Sequence, residues 1–384
     1  MSAESFDPRV ALLEAVSDFA ARKAAPRAGI DEQQERFPRD LFDEVAGMGL
    51  AGMPYPEECG GAGLCFETYL EVLEILARAY TVLGLTISVH TLSCFPTAKF
   101  GTTEQKSRIL PRLTSGEWLG AYCLSEAGSG SDAAALTTRA ERTAGGYCLN
   151  GAKAWVTHAG AADLYTIMAR TSPDGSRGIS AFLVPKDAPG MSFGKPEHKM
   201  GLRASPTSVV NLEDVFVAET DRVGDEGQGF SIALAALDSG RLGIAACATG
   251  LSRAAFEAAR VYAAERKQFG KAIAEFQGVS FMLADMLTET EASRALWHEA
   301  ARRRDAGLPA TLHASMAKLH ATDAAMRITT DAVQIFGGYG YVSEYPVERY
   351  MREAKVFQIF EGTNQIQRVV ISRQMARMAE GRRP

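Results

Sequence analysis

The chain has 384 residues, 46% hydrophobic and 23% charged, with a formal net charge of −5. That length exceeds what one hydrophobic core usually spans, so two or three packed subdomains are expected. With no basic block beyond Arg302-Arg303-Arg304, which reads as a solvated helix face, a nucleic-acid partner is not expected.

Six cysteines are scattered without a CxxC pair, and the histidines form no HExxH, so neither a metal site nor a disulfide frame is expected. Glu4 and Asp7 interrupt any charged-then-apolar leader pattern. No uninterrupted apolar run reaches the roughly 18 residues of a membrane-spanning helix, and a reducing cytoplasm is the expected compartment.

Residues from about 8 to 118 read as helices. Pro38 opens one through Leu41, Phe42 and Val45 that stops at Gly47 and Gly49. A loop through Pro54, Pro56 and the glycines after Cys59 follows, then helical patterns over about 66–80, 82–99 and 103–114. From about 120 to 218 the texture is β: Tyr165–Met168, Ile179–Val184, Val209–Leu212 and Val215–Val217, divided by turns such as Asn150-Gly151. No helical pattern interleaves these runs, which argues for an all-β unit rather than a βαβ sheet. From about 226 the chain is helical again, with a long stripe from Phe230 through Leu237, Arg241, Ile244 and Leu251 to Tyr262. The expected fold is mainly α with an all-β middle domain. It has an N-terminal helical domain over 1–119, a small β-barrel or sandwich domain over 120–225 and a C-terminal helical bundle over 226–384.

Phe360 to Gln367 concentrates chemistry. Glu361 follows the apolar Val356, Phe357, Ile359 and Phe360 and precedes Gly362. A carboxyl among hydrophobes is desolvated and becomes a better base. The same residues also read as an ordinary helix start, since Gly362 and Thr363 precede a helical pattern. Arg241 lies inside an apolar stripe, three residues after Asp238, as a structural ion pair or as a polar pair lining a cavity. Gly128 to Ala133 fits GxGxxA but belongs to no βαβ unit, so it reads as an anion-holding loop rather than a dinucleotide fingerprint. Trp155-Val156-Thr157 is a core tryptophan or an aromatic wall for a flat ring. Arg266 to Gly270 and Gln334 to Gly340 are helix ends with glycine caps, or together a site for a pyrophosphate or adenine.

In this order the segments resemble the acyl-CoA dehydrogenase family over nearly the whole chain. The resemblance rests on Gly101 to Lys106 with Leu110-Pro111 and Ser115 to Glu117, on Cys123 to Asp132, and on the two late motifs. It implies an FAD enzyme that oxidises the Cα–Cβ bond of an acyl-CoA, with Glu361 removing the α-proton, a hydride leaving Cβ for the flavin, and an electron-transferring flavoprotein as electron acceptor. It implies that Tyr122, Cys123, Leu124, Ser125, Gly130, Ser131, Trp155, Val156 and Thr157 line the flavin. Arg266, Gln268, Phe269, Gln277, Gln334, Ile335, Gly337 and Gly338 would reach an FAD held by a neighbouring subunit of a homo-oligomer, usually a tetramer. Thr363 and Gln365 would also touch FAD. Ser131, Asp238, Arg241 and Gly362 would meet the substrate. The base sits beside the arginine in some branches; here that neighbour is Gly240, which leaves Glu361, with Asp238 close by. His158 stands where asparagine is common and Phe360 where tyrosine is common. Alternatives are a dehydrogenase of an acyl carrier protein thioester, an acyl-CoA oxidase, disfavoured by an end at Pro384, and a non-catalytic thioester- or flavin-binding protein.

Overall fold

A computed structural model of the chain describes residues 7–380; Glu4 and Pro384, used in the readings above, lie outside them. Asp7 caps the first helix by accepting from Arg9 N–H at 2.9 Å. α1 (Pro8–Phe19) runs through a π-helical turn into α2 (Ala25–Gln34), which ends at Glu35 in the left-handed region, φ 52°. α3 (Arg39–Gly47), α4 (Phe66–Ala79), α5 (Thr81–Phe100) and α6 (Thr103–Thr114) follow. Thr102 and Gln105 close a capping box on α6, at 3.0 and 3.1 Å.

The middle of the chain is strands: β1 (Gly120–Cys123), β2 (Arg139–Thr143), β3 (Gly146–Thr157), β4 (Leu164–Arg170), β5 (Ile179–Pro185), β6 (Met191–Phe193), β7 (Thr207–Ala218) and β8 (Arg222–Val223). They form one sheet in the order β6-β7-β3-β2-β4-β5-β8, with β1 pairing parallel to β4. The two runs expected around Glu213 and Asp214 are one strand, β7. A register irregularity and a left-handed Asp214, φ 54°, accommodate the polar pair. β4 and β5 are buried on both faces, which explains their unbroken apolar sequence.

The last third is helical: α7 (Gly229–Glu265), a β9–β10 ribbon (Lys267–Gln268 with Lys271–Ala272), α8 (Gln277–Asp305), α9 (Thr311–Phe336), α10 (Val347–Phe357) and α11 (Asn364–Ala379). This helix–sheet–helix plan is the expected fold class. α7 is its axis and packs against α4, α5, α8 and α9. Its glycines permit this. A side chain at Gly250 would overlap the Glu74 carbonyl, and one at Gly243 the Ser88 hydroxyl. Ion pairs fix α4 from outside: Glu74 with Arg294 at 2.9 Å and Arg253 at 3.3 Å, and Glu71 with Arg9 at 2.8 Å. In contrast to the sequence reading, α5 and α7 are long and apolar enough to cross a membrane. However, 89% and 67% of their most apolar windows are buried inside the protein, so they serve as its core helices.

Candidate active site

Glu361 lies in the short link between α10 and α11. Its φ is 53°, a left-handed backbone that costs an ordinary residue about 1–2 kcal/mol, and Gly362 follows at φ 85°. Such a conformation persists when its surroundings over-determine it. Here Lys318 of α9, fully buried, donates to the Gly362 carbonyl at 2.8 Å and to Asn364 Oδ1 at 2.9 Å. Gln367 Nε2 donates to the same carbonyl at 2.9 Å. Asn364 Nδ2 donates to Thr322 Oγ1 at 2.9 Å and Asp323 Oδ1 at 2.7 Å. Thr363 caps α11, accepting from Ile366 N–H at 3.2 Å.

The Glu361 carboxylate is held differently. Its Oε2 is buried with no hydrogen-bond partner. Burial pushes its pKa up to about 7, against the pull of Lys318 and Arg241. The oxygen faces Gly240 of α7 so closely that a Cβ there would stand 2.5 Å from Oε2 and 3.1 Å from Cδ. The Tyr122 phenol at β1 is also buried without a partner, and burial and then the charge of Glu361 raise its pKa. The Glu361 N–H makes no hydrogen bond among the described residues. A desolvated, unpaired carboxylate poised near neutrality is what a general base requires.

Arg241 is buried and pairs with Asp238 Oδ1 at 2.5 Å, while Thr311 Oγ1 donates to Asp238 Oδ2 at 2.7 Å. The ion-pair reading therefore holds geometrically, yet Arg241 Nε stays buried and unpartnered. Asp238 is committed to two donors, whereas Glu361 Oε2 has none.

The remaining expected residues fall into two groups. In the first, Ala154 N–H donates to the Ser125 carbonyl at 2.9 Å, which brings the loop after β1 to the end of β3. Glu126 shapes that loop. It accepts from Thr137 N–H at 2.7 Å and Thr138 N–H at 2.9 Å and pairs with the fully buried Lys153 at 2.8 Å. Burial would raise the Glu126 carboxyl, but the charge and hydrogen bonds of Lys153 win and hold it at about 2. Gly130 and Ser131 are exposed. Trp155 is not a core tryptophan: it is 64% exposed at φ 60°. Cys123 and Val156 are buried in the core, and burial raises the Cys123 thiol to about 12. His158 also turns inward; its Nδ1 meets the Gly120 carbonyl at 3.0 Å and burial lowers its pKa to about 4. Phe360 packs beside Phe357 at 5.5 Å.

In the second group, Arg266, Gln268, Ile335, Gly337 and Gly338 line one open groove of about 820 Å³ together with Tyr262, Phe336 and Tyr345. Phe269, 94% exposed, projects from the β9–β10 turn, while Gln277 and Gln334 lie outside the groove lining. Gln365 is exposed on the first turn of α11.

Lys318, Lys153 and Arg304 went unrecognised in the sequence. Arg304 corrects the reading of a solvated arginine face. Arg302 is exposed and pairs with Glu67 at 2.9 Å. Arg304 turns inward, stacks on the Phe66 ring at 3.9 Å and donates to Ser239 Oγ.

A buried, unpaired carboxylate set in a three-part helix–sheet–helix frame defines the class only as far as a candidate general base. The profile described as acyl-CoA dehydrogenase, N-terminal domain, matches residues 8–117; the middle-domain profile matches 121–215 and the C-terminal-domain profile 227–376. An acyl-CoA dehydrogenase of Bacillus subtilis is 47% identical over 95% of this chain and 97% of its own. The structure of butyryl-CoA dehydrogenase from Megasphaera elsdenii superposes with a TM-score of 0.95 at 40% identity, covering 98% of this chain and all of that one. A chain from work on the electron-transferring flavoprotein of Acidaminococcus fermentans and flavin-based electron bifurcation does so with a TM-score of 0.95 at 42% identity and 98% coverage. The chain belongs to the acyl-CoA dehydrogenase family and is an FAD-dependent oxidoreductase of fatty-acid oxidation. The residues present fit that cofactor. The bare Trp155 ring, the unpartnered Tyr122 hydroxyl and the open Gly130–Ser131 loop offer an aromatic wall, a donor and free backbone.

Proposed function

We propose that the protein removes hydrogen from the Cα–Cβ bond of a short acyl-CoA, giving the trans-2-enoyl-CoA, with Glu361 as the base. The observation that carries this is the Glu361 carboxylate: buried, unpaired, raised to about 7 and aimed at the gap beside Gly240. Lys318 and Gln367 hold the Gly362 carbonyl back, which leaves the Glu361 N–H free to polarise the thioester carbonyl and acidify the α-proton. Glu361 then takes that proton onto its carboxylate. Bound FAD supplies the acceptor for the hydride from Cβ. Arg241, fixed by Asp238, and the exposed Ser131 face the carrier part of the substrate.

Trp155, Thr157 and the loop of Ser125 to Ser131 hold the flavin. The groove of Arg266, Gln268, Gly337 and Gly338, with the bare Phe269, belongs to a contact with another copy of the chain. We infer a homo-oligomer on that basis, and the family likeness makes a tetramer its expected form. An electron-transferring flavoprotein as acceptor is supported by the likeness to the chain studied with the Acidaminococcus protein. Six unpaired cysteines suit a cytoplasmic setting.

The test is an anaerobic titration of the yellow protein with acyl-CoAs and acyl carrier protein thioesters of graded length. Bleaching by short acyl-CoAs is expected. A flavin that no acyl thioester bleaches would refute the reading, and bleaching by carrier-protein thioesters alone would move the protein to biosynthesis.

A further inference from the structure

One carboxylate of α9, that of Asp323, holds both ends of the link that carries Glu361. Gln358 caps α10 where the link begins, and Asn364 opens α11 where it ends. Asp323 Oδ1 accepts from Gln358 Nε2 at 2.7 Å and from Asn364 Nδ2 at 2.7 Å. The backbone closes the same ring, since Asn364 N–H donates to the Gln358 carbonyl at 3.0 Å. Lys355 Nζ donates to Gln358 Oε1 at 2.9 Å, which leaves the amide nitrogen to face Asp323.

A structural ion pair accounts for only part of this arrangement. Arg368 Nη2 meets the other oxygen, Oδ2, at 3.0 Å, while Oδ1 serves the two amides. Hydrogen bonds to an ionised acceptor are shorter and roughly twice as strong as neutral ones. Burial opposes the charge on Asp323, but donation from Asn364, Gln358 and Arg368 outweighs it and lowers the carboxyl pKa. Asp323 is thus an anion at neutral pH. The charges that act on Glu361 are those of Lys318 and Arg241, so Asp323 reaches the base through the chain rather than through its field.

The link needs such restraint. Glu361 sits at φ 53° and Gly362 at φ 85°, and a left-handed residue other than glycine persists only where its surroundings over-determine it. Lys318 restrains the middle of the link at the Gly362 carbonyl. With its ends released, the turn at Glu361 would relax toward ordinary backbone and swing its N–H and carboxylate together. We propose that Asp323 is a positioning residue for the dehydrogenation: by tying the Gln358 and Asn364 side chains to one oxygen, it sets the direction in which Glu361 presents its carboxylate and its N–H. The inference rests on Glu361 as the base and adds the residue that aims it.

The experiment follows anaerobic bleaching by butyryl-CoA across pH in wild type, Asp323→Ala and Asp323→Asn, with FAD content and Tm on the same samples. Asparagine keeps an oxygen for the two amides and loses the charge, whereas alanine removes both. We expect Asp323→Ala to retain FAD and to bleach more slowly by about tenfold or more at its best pH. Its rising limb should move from about pH 7 toward the ordinary carboxylate range as the carboxylate of Glu361 leaves its dry site. Asp323→Asn should recover most of the rate and keep the limb near pH 7. Wild-type bleaching in Asp323→Ala would overturn the proposal. So would a slowed rate with the limb unmoved, which is what a merely structural role gives, or Asp323→Asn as slow as Asp323→Ala. If Asp323→Ala fails to fold, Gln358→Leu releases one end of the link and leaves Asp323 with Asn364 and Arg368. It should slow bleaching and shift the limb in the same direction, and wild-type behaviour there would overturn the proposal. Glu361→Gln, run alongside, separates the two readings. Wild-type bleaching in Glu361→Gln sinks the base itself, whereas a slow Glu361→Gln beside a wild-type Asp323→Ala sinks only this inference.

Discussion

Replacing Gly240 by alanine adds one methyl group directly in front of the proposed base. The new Cβ would lie 2.5 Å from Glu361 Oε2, where an ordinary contact starts at 3.4 Å, so the oxygen must retreat by about 0.9 Å. The atom that moves is the end of a flexible side chain, so the fold gives way cheaply. Alanine in a helix interior also stabilises by about 0.5–1 kcal/mol over glycine. Stability should therefore stay within about 1 kcal/mol of wild type. Catalysis is less tolerant: misplacing a reacting group by about 1 Å can cost roughly 10²-fold, or about 2.7 kcal/mol of barrier. The assay is anaerobic stopped-flow bleaching by butyryl-CoA, with flavin content and Tm measured on the same samples. We expect full flavin occupancy, an unchanged or slightly higher Tm and bleaching slowed by about two orders of magnitude. Wild-type bleaching in Gly240→Ala would refute the placement of the base against α7. A collapse of Tm would show that the clash falls on something rigid instead.

Three further outcomes follow from the same geometry. Lys318→Met removes a charge that lowers the Glu361 pKa, and because burial brings Lys318 itself down to about 7 that charge is only partly present there, so the limb of the bleaching profile that rises through about pH 7 should move modestly to higher pH. It should also destabilise by about 1–3 kcal/mol because the Gly362 carbonyl loses a buried donor. Lys153→Met leaves Glu126 buried and unpaired and should cost about 3–5 kcal/mol in urea unfolding at neutral pH. Because the Glu126 pKa is depressed from 4.5 to about 2, its stabilisation is full above 4.5 and is lost as pH falls through about 2, so the difference from wild type should shrink in acid. Trp155→Gly should relieve a left-handed backbone and raise the Tm of the flavin-free protein slightly while weakening FAD retention, measured by equilibrium dialysis.

The order of helices and strands is legible in the sequence because β4 and β5 are unbroken apolar runs and α7 carries a continuous stripe, both local patterns. Glu361 is legible for a similar reason: an acid placed among hydrophobes announces its own desolvation. Lys318 is not. It lies 44 residues before Gly362 on an unremarkable helix, and only the packing of α9 against the α10–α11 link buries it. Arg304 is hidden by its neighbours, since three arginines in a row read as solvent-facing and the inward turn of the third depends on Phe66 and Ser239, which are distant in sequence. Trp155 misleads in the other direction. A tryptophan in a strand is ordinarily core, and the left-handed backbone that swings it out is set by the irregular pairing of β3 with β7. Local patterns thus give the frame and the base, while the groups that hold the base and shape its cavity depend on tertiary packing.

The central claim is that the unpaired Glu361 carboxylate takes the α-proton, and Glu361→Gln tests it most directly. The amide nearly matches the carboxylate in shape and removes only the charge and basicity. Glu361→Gln should be a yellow protein with wild-type FAD content and unchanged acyl-CoA binding whose anaerobic bleaching is slower by roughly 10²–10⁴. Bleaching at the wild-type rate would contradict it and place the base elsewhere, with Asp238 the next residue to replace.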